Sequence, residues 1–269
     1  MHEKGALDKV VDGGYCIGCG GCAALDPGIN IKRDNMERLQ AVLPDDRAPT
    51  SVAIAACPFA DGNPDEETLA TELFDAPNIQ EDARIGRHLA TFGGWVEEET
   101  LRKQASSGGI GTWLQVELLD KGLVDAVLNV QQVDVEAGGA PLFRFAVARD
   151  RNTVMANSKT RYYPVEMSGV IRYILENPGR YAVIGMPCFA KALRLAARAE
   201  PVLGQRLAYV LGIVCGHLKS AAFAKTIAWQ CGIDPDGVET IDFRAKLEGR
   251  PASRYGVSIK GRRIEDAQI

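Results

Sequence analysis

Cysteines at metal-ligand spacing are the chemically most informative residues of the chain. Cys16, Cys19 and Cys22 form a C-x2-C-x2-C run, and Cys57 stands directly before a proline much further along. In two-cluster ferredoxins, three cysteines of such a run join one distant Cys-Pro around one iron–sulfur cluster, and the fourth cysteine of the run serves the other cluster. The spacing therefore predicts that these four cysteines bind a single [4Fe-4S] cluster.

Asp26 occupies the position of the fourth cysteine of the run, directly before Pro27. If the second cluster is absent, this position no longer needs a thiolate, and we favour that interpretation. One alternative makes Asp26 a ligand and leaves Cys57 in the core, although oxygen ligation of such clusters is uncommon. A second alternative is a structural zinc ion on the same four thiolates, although zinc usually binds paired C-x2-C knuckles.

A serine- and glycine-rich turn opens a predicted helix over residues 108–120. It consists of Ser106, Ser107, Gly108 and Gly109. Backbone N–H groups and the helix dipole at a helix start attract anions, so this turn is a candidate for binding a phosphate or the edge of a flavin. The same residues also serve as an ordinary helix cap.

Two further cysteines follow predicted strands. Cys188 comes after a strand at 181–186, and Cys215 ends a strand at 207–214. The carboxyl edge of a parallel sheet is where ligands bind in α/β folds, and a helix N-terminus is expected to lower the thiol pKa of Cys188. Packing as small apolar residues is the alternative. A second cluster would lack ligands, because only Cys231 remains and it is expected to pack near a helix end.

Basic residues next to tyrosines suggest an anion site in a chain that is acidic overall. Lys159 and Arg161 precede Tyr162 and Tyr163. Basic residues of a later stretch are Arg244, Lys246, Arg250 and Arg254. Such groups could bind an anionic cofactor, or they could form solvated basic loops.

Composition excludes several classes of function. The 269 residues carry a formal net charge of −4, whereas a nucleic-acid binder usually has a basic face. No apolar run approaches the ~20 residues that cross a bilayer, and the N-terminus lacks the apolar core of a signal peptide. We therefore expect a cytoplasmic protein without disulfides, with no membrane span and no nucleic-acid partner.

Residue composition and hydrophobic patterns divide the chain into three parts. Residues 1–60 are expected to form a small ferredoxin-like iron–sulfur segment, 61–90 a polar linker with one short helix, and 91–269 an α/β domain. In the last part, apolar strand patterns alternate with helical patterns, which predicts a mixed or largely parallel sheet flanked by helices. Predicted strands are 124–130, 142–148, 181–186, 207–214 and 238–243, and predicted helices are 108–120, 165–176, 189–199 and 218–230.

Six motifs in one order resemble a known family. They are CIGCGGC, SSGGIGTWL, NSKTRYY, GMPCFAKAL, GIVCGH and IDFRAK. Together they are similar to the β subunit of coenzyme F420-reducing hydrogenase and its dehydrogenase relatives, over residues 16–22 and about 91–256.

The resemblance implies an iron–sulfur flavoprotein oxidoreductase that binds FAD. It would pass electrons between the cluster and a hydride-carrying small molecule such as F420. It implies that Ser106–Gly109 line the flavin pocket and that Lys159 and Arg161 lie near flavin or substrate, with Lys159 as the group that tunes the flavin. Cys188 and Cys215 match two strand-end cysteines of the family. The C-terminus is short for the family, which leaves the completeness of the substrate pocket open.

Two other functions are compatible with these patterns. One is an electron-transfer subunit that serves a redox partner and has no substrate of its own. The other is a non-enzymatic interaction module on an α/β scaffold, stabilised by zinc at the four cysteines.

Overall fold

The computed structural model describes residues 5–133 and 141–266. The helices of these residues are α1 (Ala6–Asp12), α2 (Gly21–Leu25), α3 (Ser51–Ala55), α4 (Glu66–Leu73), α5 (Glu99–Gln104), α6 (Ile110–Asp120), α7 (Arg151–Ala156), α8 (Ser168–Glu176), α9 (Pro187–Ala199), α10 (Pro201–Arg206) and α11 (Ala221–Gln230). The strands are β1 (Asn30–Arg33), β2 (Leu39–Val42), β3 (Gln80–Asp82), β4 (Gly86–His88), β5 (Ala126–Gln132), β6 (Phe143–Ala148), β7 (Tyr181–Gly185), β8 (Leu207–Gly212), β9 (Ile233–Ala245) and β10 (Gly256–Arg263).

A four-stranded sheet forms the centre of the larger part, in the order β6-β5-β7-β8. The β5–β7 and β7–β8 pairs are parallel, and β6 is an antiparallel edge strand. Strand β7 is apolar and largely buried along its length, as expected for a strand that is covered on both faces. The predicted α/β fold with a mixed, largely parallel sheet and flanking helices is confirmed.

The strongest amphipathic pattern belongs to α9, which packs on β7 and β8. Its buried residues recur at helical spacing and form one face: Phe189, Ala192, Leu193, Leu195 and Ala196. Helix α9 also contacts α2 and α3, so it joins the sheet to the N-terminal residues.

All four predicted helices begin two or three residues away from the predicted position, and α6 and α11 show why. Helix α6 begins at Ile110 rather than 108, because Gly109 adopts a left-handed conformation with φ 89° and caps it. Helix α11 begins at Ala221 rather than 218, with Ser220 in an extended conformation before it.

Residues 61–90 hold more regular structure than the one short helix that was predicted. Besides α4, they contain the β3–β4 hairpin. The hairpin turn is stabilised locally, because an oxygen of Asp82 accepts the backbone N–H of Arg84 at 2.8 Å and Gly86 takes a positive φ of 71°.

The N-terminal residues 5–60, called the cysteine lobe below, have a separate small core. Its buried members are mostly alanines and cysteines: Leu7, Val10, Cys22, Ala23, Ile29, Ala41, Ala53, Cys57 and Ala60. The lobe is joined to the larger part by backbone contacts, among them the N–H of Met167 to the carbonyl of Cys19 at 2.8 Å. Arg172 adds a hydrogen bond to the carbonyl of Ala23 at 2.9 Å.

No helix among the described residues is both long enough and apolar enough to cross a bilayer.

Candidate functional site

Four cysteines line one apolar pocket of the cysteine lobe. Cys16 and Cys19 lie in the loop before α2, Cys22 lies in its first turn, and Cys57 follows α3. The apolar lining comes from α1, the β1–β2 hairpin and the segment after α3: Leu7, Val10, Val11, Ile17, Ile31, Ala41, Leu43, Pro58 and Phe59. The residues that the sequence proposed as one ligand set therefore share one pocket, which is called the cysteine pocket below.

Glycines give the cysteine loop its tight course. Gly18 and Gly20 take left-handed conformations, with φ 61° and 83°. A side chain at Gly18 would collide with Leu39, and one at Gly20 would collide with Glu166 and with the start of α8. The loop therefore needs glycine both for its backbone conformation and for its close contact with the neighbouring elements.

The four thiols are close enough to oppose one another's ionisation. Burial raises the pKa of Cys19 well above its usual range, and the neighbouring Cys22 raises it further. The pKa of Cys22 is raised to about 12, mainly by burial and then by Cys57. Burial likewise raises the pKa of Cys57. Burial therefore disfavours the thiolate forms of Cys19, Cys22 and Cys57, and the positive charge of a bound metal would favour them.

The donor chemistry of the cysteine pocket fits a thiolate-bound metal centre. Four sulfur atoms face an apolar pocket, and the backbone N–H of Ala41 donates to Sγ of Cys16 at 3.3 Å. Such N–H···S bonds stabilise thiolate ligands. Within 5–133 and 141–266, no three His, Cys, Asp or Glu side chains are already grouped as a site for a metal ion.

Asp26 is fully buried, yet it lies outside the described residues that line the cysteine pocket. One carboxylate oxygen accepts from the backbone N–H of Gly28 at 2.9 Å, and the other accepts from that of Thr50 at 2.9 Å. Arg47 pairs with both oxygens. Since both oxygens are occupied by protein donors, the geometry disfavours Asp26 as the fourth ligand.

A second and larger cavity lies at the carboxyl edge of the parallel strands. It has a volume of about 460 Å³ and is bordered by the ends of β5 and β7 at Val130 and Gly185, and by Ile213 after β8. Across from them stands the N-terminus of α6 with Gly111 and Thr112. This cavity, called the cleft below, has the size and place expected of a small-molecule site in an α/β fold.

Most of the sequence-predicted cofactor residues line the cleft: Ser106, Ser107, Gly109, Lys159, Arg161 and Cys215. Oγ of Ser106 accepts the backbone N–H of Thr160 at 2.9 Å, which joins the serine turn to the 157–161 segment. Gly108 instead faces the preceding loop, where its carbonyl accepts the N–H of Val96 at 2.9 Å. The turn is therefore built into the cleft wall through three of its four predicted residues.

Cys188 departs from the prediction. It starts α9 but packs against the main core and is only partly exposed. Its pKa is raised rather than lowered, because burial outweighs the backbone N–H groups of Phe189 and Cys188, and Cys215 adds to the rise. The expectation of a helix-lowered pKa is wrong here. Sγ of Cys215 lies 3.5 Å from Sδ of Met186 at the cleft floor.

Cys231 caps the end of α11 as expected, but it is exposed rather than packed. Cys188, by contrast, packs against the main core, and Cys215 borders the cleft.

Cations dominate the polar side of the cleft. Lys159 forms an ion pair with Asp242, with 2.8 Å between Nζ and Oδ2. Arg161 stacks over the ring of Phe143 at 4.7 Å, and burial lowers the pKa of Arg161 to about 10, with Asp242 acting in the opposite direction. The Nε atoms of Arg161 and Arg244 are buried without a hydrogen-bond partner among the described residues. Buried unsatisfied donors on cations favour an anionic ligand.

Two buried amides of the cleft were missed by sequence reasoning. Nδ2 of Asn129 donates to Oε1 of Gln115 at 3.1 Å, and Nε2 of Gln115 donates to the carbonyl of Gly111 at 2.8 Å. Asn129 interrupts the apolar pattern of β5, and a lone polar residue in a buried strand was the available signal. Lys219 falls within the predicted helix 218–230, but it lies instead with His217 in the loop that borders the cleft.

An open α/β sheet with a ligand-sized, cation-lined cleft at its carboxyl edge is typical of α/β proteins that bind an anionic small molecule or cofactor. Two family models then match the chain. One is coenzyme F420 hydrogenase/dehydrogenase, beta subunit N-term, over residues 91–172, and the other is the C terminus of the same subunit, over residues 179–265. The chain belongs to the coenzyme F420 hydrogenase/dehydrogenase beta subunit family, a family of oxidoreductase subunits.

A chain of the F420-reducing [NiFe] hydrogenase complex from Methanosarcina barkeri, studied by xenon derivatisation, is similar to this protein. The two are 23% identical with a TM-score of 0.44, and the match covers 62% of this chain and 58% of that one. A search of the curated proteins found no match. The family models begin at residue 91, so interpretation of the cysteine lobe depends on its own residues.

Proposed function

We propose that the protein transfers electrons between a [4Fe-4S] cluster held by Cys16, Cys19, Cys22 and Cys57 and a hydride-carrying substrate, with FAD bound in the cleft. The observation that carries the proposal is the position of helix α9, which contacts both the cysteine lobe and the cleft. Family membership makes redox chemistry the expected activity.

An iron–sulfur cluster suits the cysteine pocket better than zinc does. The ligands are a run of three and a singleton, whereas structural zinc sites usually use two pairs. All four sulfurs line one pocket, so no ligand has to be supplied from another part of the protein. A cluster of four irons spans a wider ligand set than a single ion.

FAD suits the cleft in size and charge. The volume of about 460 Å³ lies within the range of cofactor sites. The unsatisfied Nε donors of Arg161 and Arg244 are available to phosphate oxygens, and the N-terminus of α6 adds a favourable dipole. Flavin exchanges hydrides as well as single electrons, which is the chemistry that it would supply between a substrate and a cluster.

Helix α9 provides a short route between the two sites. Phe189 lines the cleft, and Ala192 lies one turn further along on the same face. A Cβ placed at Gly21 would be 3.6 Å from Cβ of Ala192 and 3.8 Å from Sγ of Cys19. A single turn of packed helix therefore separates the cleft wall from a proposed cluster ligand.

Lys159 is the proposed group that tunes the flavin. It borders the cleft, is about a quarter exposed, and is held by Asp242. A fixed positive charge there would favour a flavin that carries negative charge after reduction. An F420-like molecule is the proposed hydride carrier, in line with the family to which the chain belongs.

An electron-transfer role without a substrate of its own is the second candidate. It is favoured by exposed apolar side chains at the mouth of the cleft, where Ile213, Val214 and Leu218 face outward. Such a rim suits a partner subunit as well as it suits a small molecule. Turnover by the isolated chain with a hydride donor would separate the two roles.

Cofactor analysis of anaerobically prepared protein tests the proposal. We expect iron with acid-labile sulfide and one FAD per chain, and a Cys57→Ser variant that loses the cluster but keeps the flavin. Cys231→Ser is the matched control, because Cys231 is exposed at the end of α11. Zinc without sulfide at the four cysteines, or no flavin after incubation with FAD, would contradict the proposal.

A further inference from the structure

We infer that Asp26 is a positioning residue for the cluster: its carboxylate fixes the helix that presents Cys57 against the helix that presents Cys22. This inference depends on the proposed cluster ligation. It assigns a role to the residue that replaces the fourth cysteine of the run.

The carboxylate of Asp26 stands at the end of α2. Asp26 is the C-cap residue of that helix, and its backbone N–H donates to the carbonyl of Cys22 at 3.0 Å. The conformation of Asp26 is therefore tied directly to the turn that contains Cys22.

The same carboxylate reaches the start of α3. It accepts the backbone N–H of Thr50, the N-cap residue of α3, whose own Oγ1 accepts the N–H of Ala53 at 3.3 Å. Cys57 follows at the other end of this short helix, where its N–H donates to the carbonyl of Ile54 at 3.1 Å. Displacement of Thr50 would therefore be passed along one rigid turn to Cys57.

Arg47 completes the connection by neutralising the buried charge. It pairs with both oxygens of Asp26 and also donates to the carbonyl of Ala48 at 3.0 Å. Asp26 is 0% exposed, whereas Arg47 is 41% exposed. Both oxygens of the buried Asp26 carboxylate accept hydrogen bonds. The position of the carboxylate is therefore fixed, because any movement would leave donors or charge unpaired.

A pair of substitutions at Thr50 isolates one of these bonds. Thr50→Pro removes the backbone N–H that Asp26 accepts, and the native φ of −64° suits proline. Thr50→Ala keeps that N–H. Both variants lose the side-chain cap, so the bond to Asp26 is the native contact in which they differ.

The first measurement needs no metal. In the reduced apo protein, we expect Cys57 to be alkylated about tenfold faster in Thr50→Pro than in Thr50→Ala, with the rate of Cys231 unchanged. Asp26→Asn should resemble Thr50→Pro. Asp34→Asn is its control, because Asp34 pairs with Arg38 in the β1–β2 turn, away from α3. Equal Cys57 rates in the two Thr50 variants would overturn the inference.

The second measurement uses the reconstituted protein. After mild ferricyanide oxidation, we expect Thr50→Pro to lose one iron and give the EPR signal of a three-iron cluster, while Thr50→Ala keeps its cluster. Identical iron content and spectra in the two variants would overturn the role toward the cluster. If the wild type bound zinc instead of iron, the proposed function would fail, and the alkylation rates would still decide whether Asp26 positions Cys57.

Discussion

The cysteine pocket and the cleft are opposite kinds of site within one chain. Next to the cysteine pocket, the buried carboxylate of Asp26 is satisfied internally by four hydrogen bonds from Gly28, Arg47 and Thr50. In the cleft, Arg161 and Arg244 keep buried donors without a partner among the described residues. In the proposed function, the first site takes a group that bonds to sulfur, and the second takes an anionic cofactor.

The two regions also differ in how they are stabilised. The lobe core is built mainly from alanines and cysteines, which bury little apolar area, whereas the core around the sheet includes Leu193, Phe189 and Tyr181. Small lobes of this kind usually gain stability from a metal. We therefore expect the lobe to depend on its cluster and the α/β domain to fold without it.

Removal of a cysteine ligand should give the largest effect. We expect Cys19→Ser to abolish the cluster and to expose the lobe to hydrogen exchange, with the central sheet still protected, because structural metal binding supplies folding free energy. Hydrogen exchange read by mass spectrometry resolves the two regions. Equal loss of protection in lobe and sheet would remove the distinction between them.

A cavity in the domain core should give the converse result. Leu193 is fully buried on α9, so Leu193→Ala should lower the free energy of unfolding of the α/β domain by about 2–5 kcal/mol. Denaturant unfolding followed by tryptophan fluorescence measures this. The loss should be similar with and without iron, and a loss that appears only in the iron-free protein would contradict the separation.

Loss of a cation from the cleft should weaken the binding of FAD without changing the iron content of the protein. We expect Arg161→Gln to raise the Kd for FAD by about tenfold to a hundredfold, because a charge-assisted hydrogen bond is removed. Titration followed by flavin fluorescence gives the value. Arg254→Gln is the control, since Arg254 is exposed and stands apart from the cleft lining. Equal affinities in both variants would show that the anion site lies elsewhere.

Lys159→Gln should have the smallest effect on binding. The Lys159 charge is already balanced by Asp242, so we expect the Kd for FAD to change by less than about threefold. Its effect should fall instead on the rate at which a hydride donor reduces the flavin, measured by stopped-flow absorbance. A large loss of affinity for FAD with an unchanged rate of flavin reduction would mean that Lys159 binds the flavin and does not tune its reactivity.

The sequence predicted regular elements better than it predicted the contacts of loops. Helical periodicity identified α9, and apolar runs identified the strands β5 and β7. Burial imposes both patterns directly on the sequence. The apolar run after β8 misled the prediction: the strand ends at Gly212, and Val214 is fully exposed at the cleft.

The spacing of the cysteines predicted a shared pocket but not what holds it together. Cysteine ligands are recognisable because chemistry fixes their type and separation. The partners of Asp26 are not, since Arg47 and Thr50 lie in a polar stretch without a pattern, and only the folded chain brings them to one carboxylate. Cys188 was misjudged for a similar reason, because its burial depends on neighbours that are distant in sequence.

Reductive titration of the anaerobic holoprotein tests most directly whether both centres exist and communicate. A flavin accepts two electrons and a [4Fe-4S] cluster accepts one, so we expect about three electrons per chain, with flavin bleaching and a cluster EPR signal in the same sample. Uptake of only two electrons, with flavin bleaching and no cluster signal, would contradict the account.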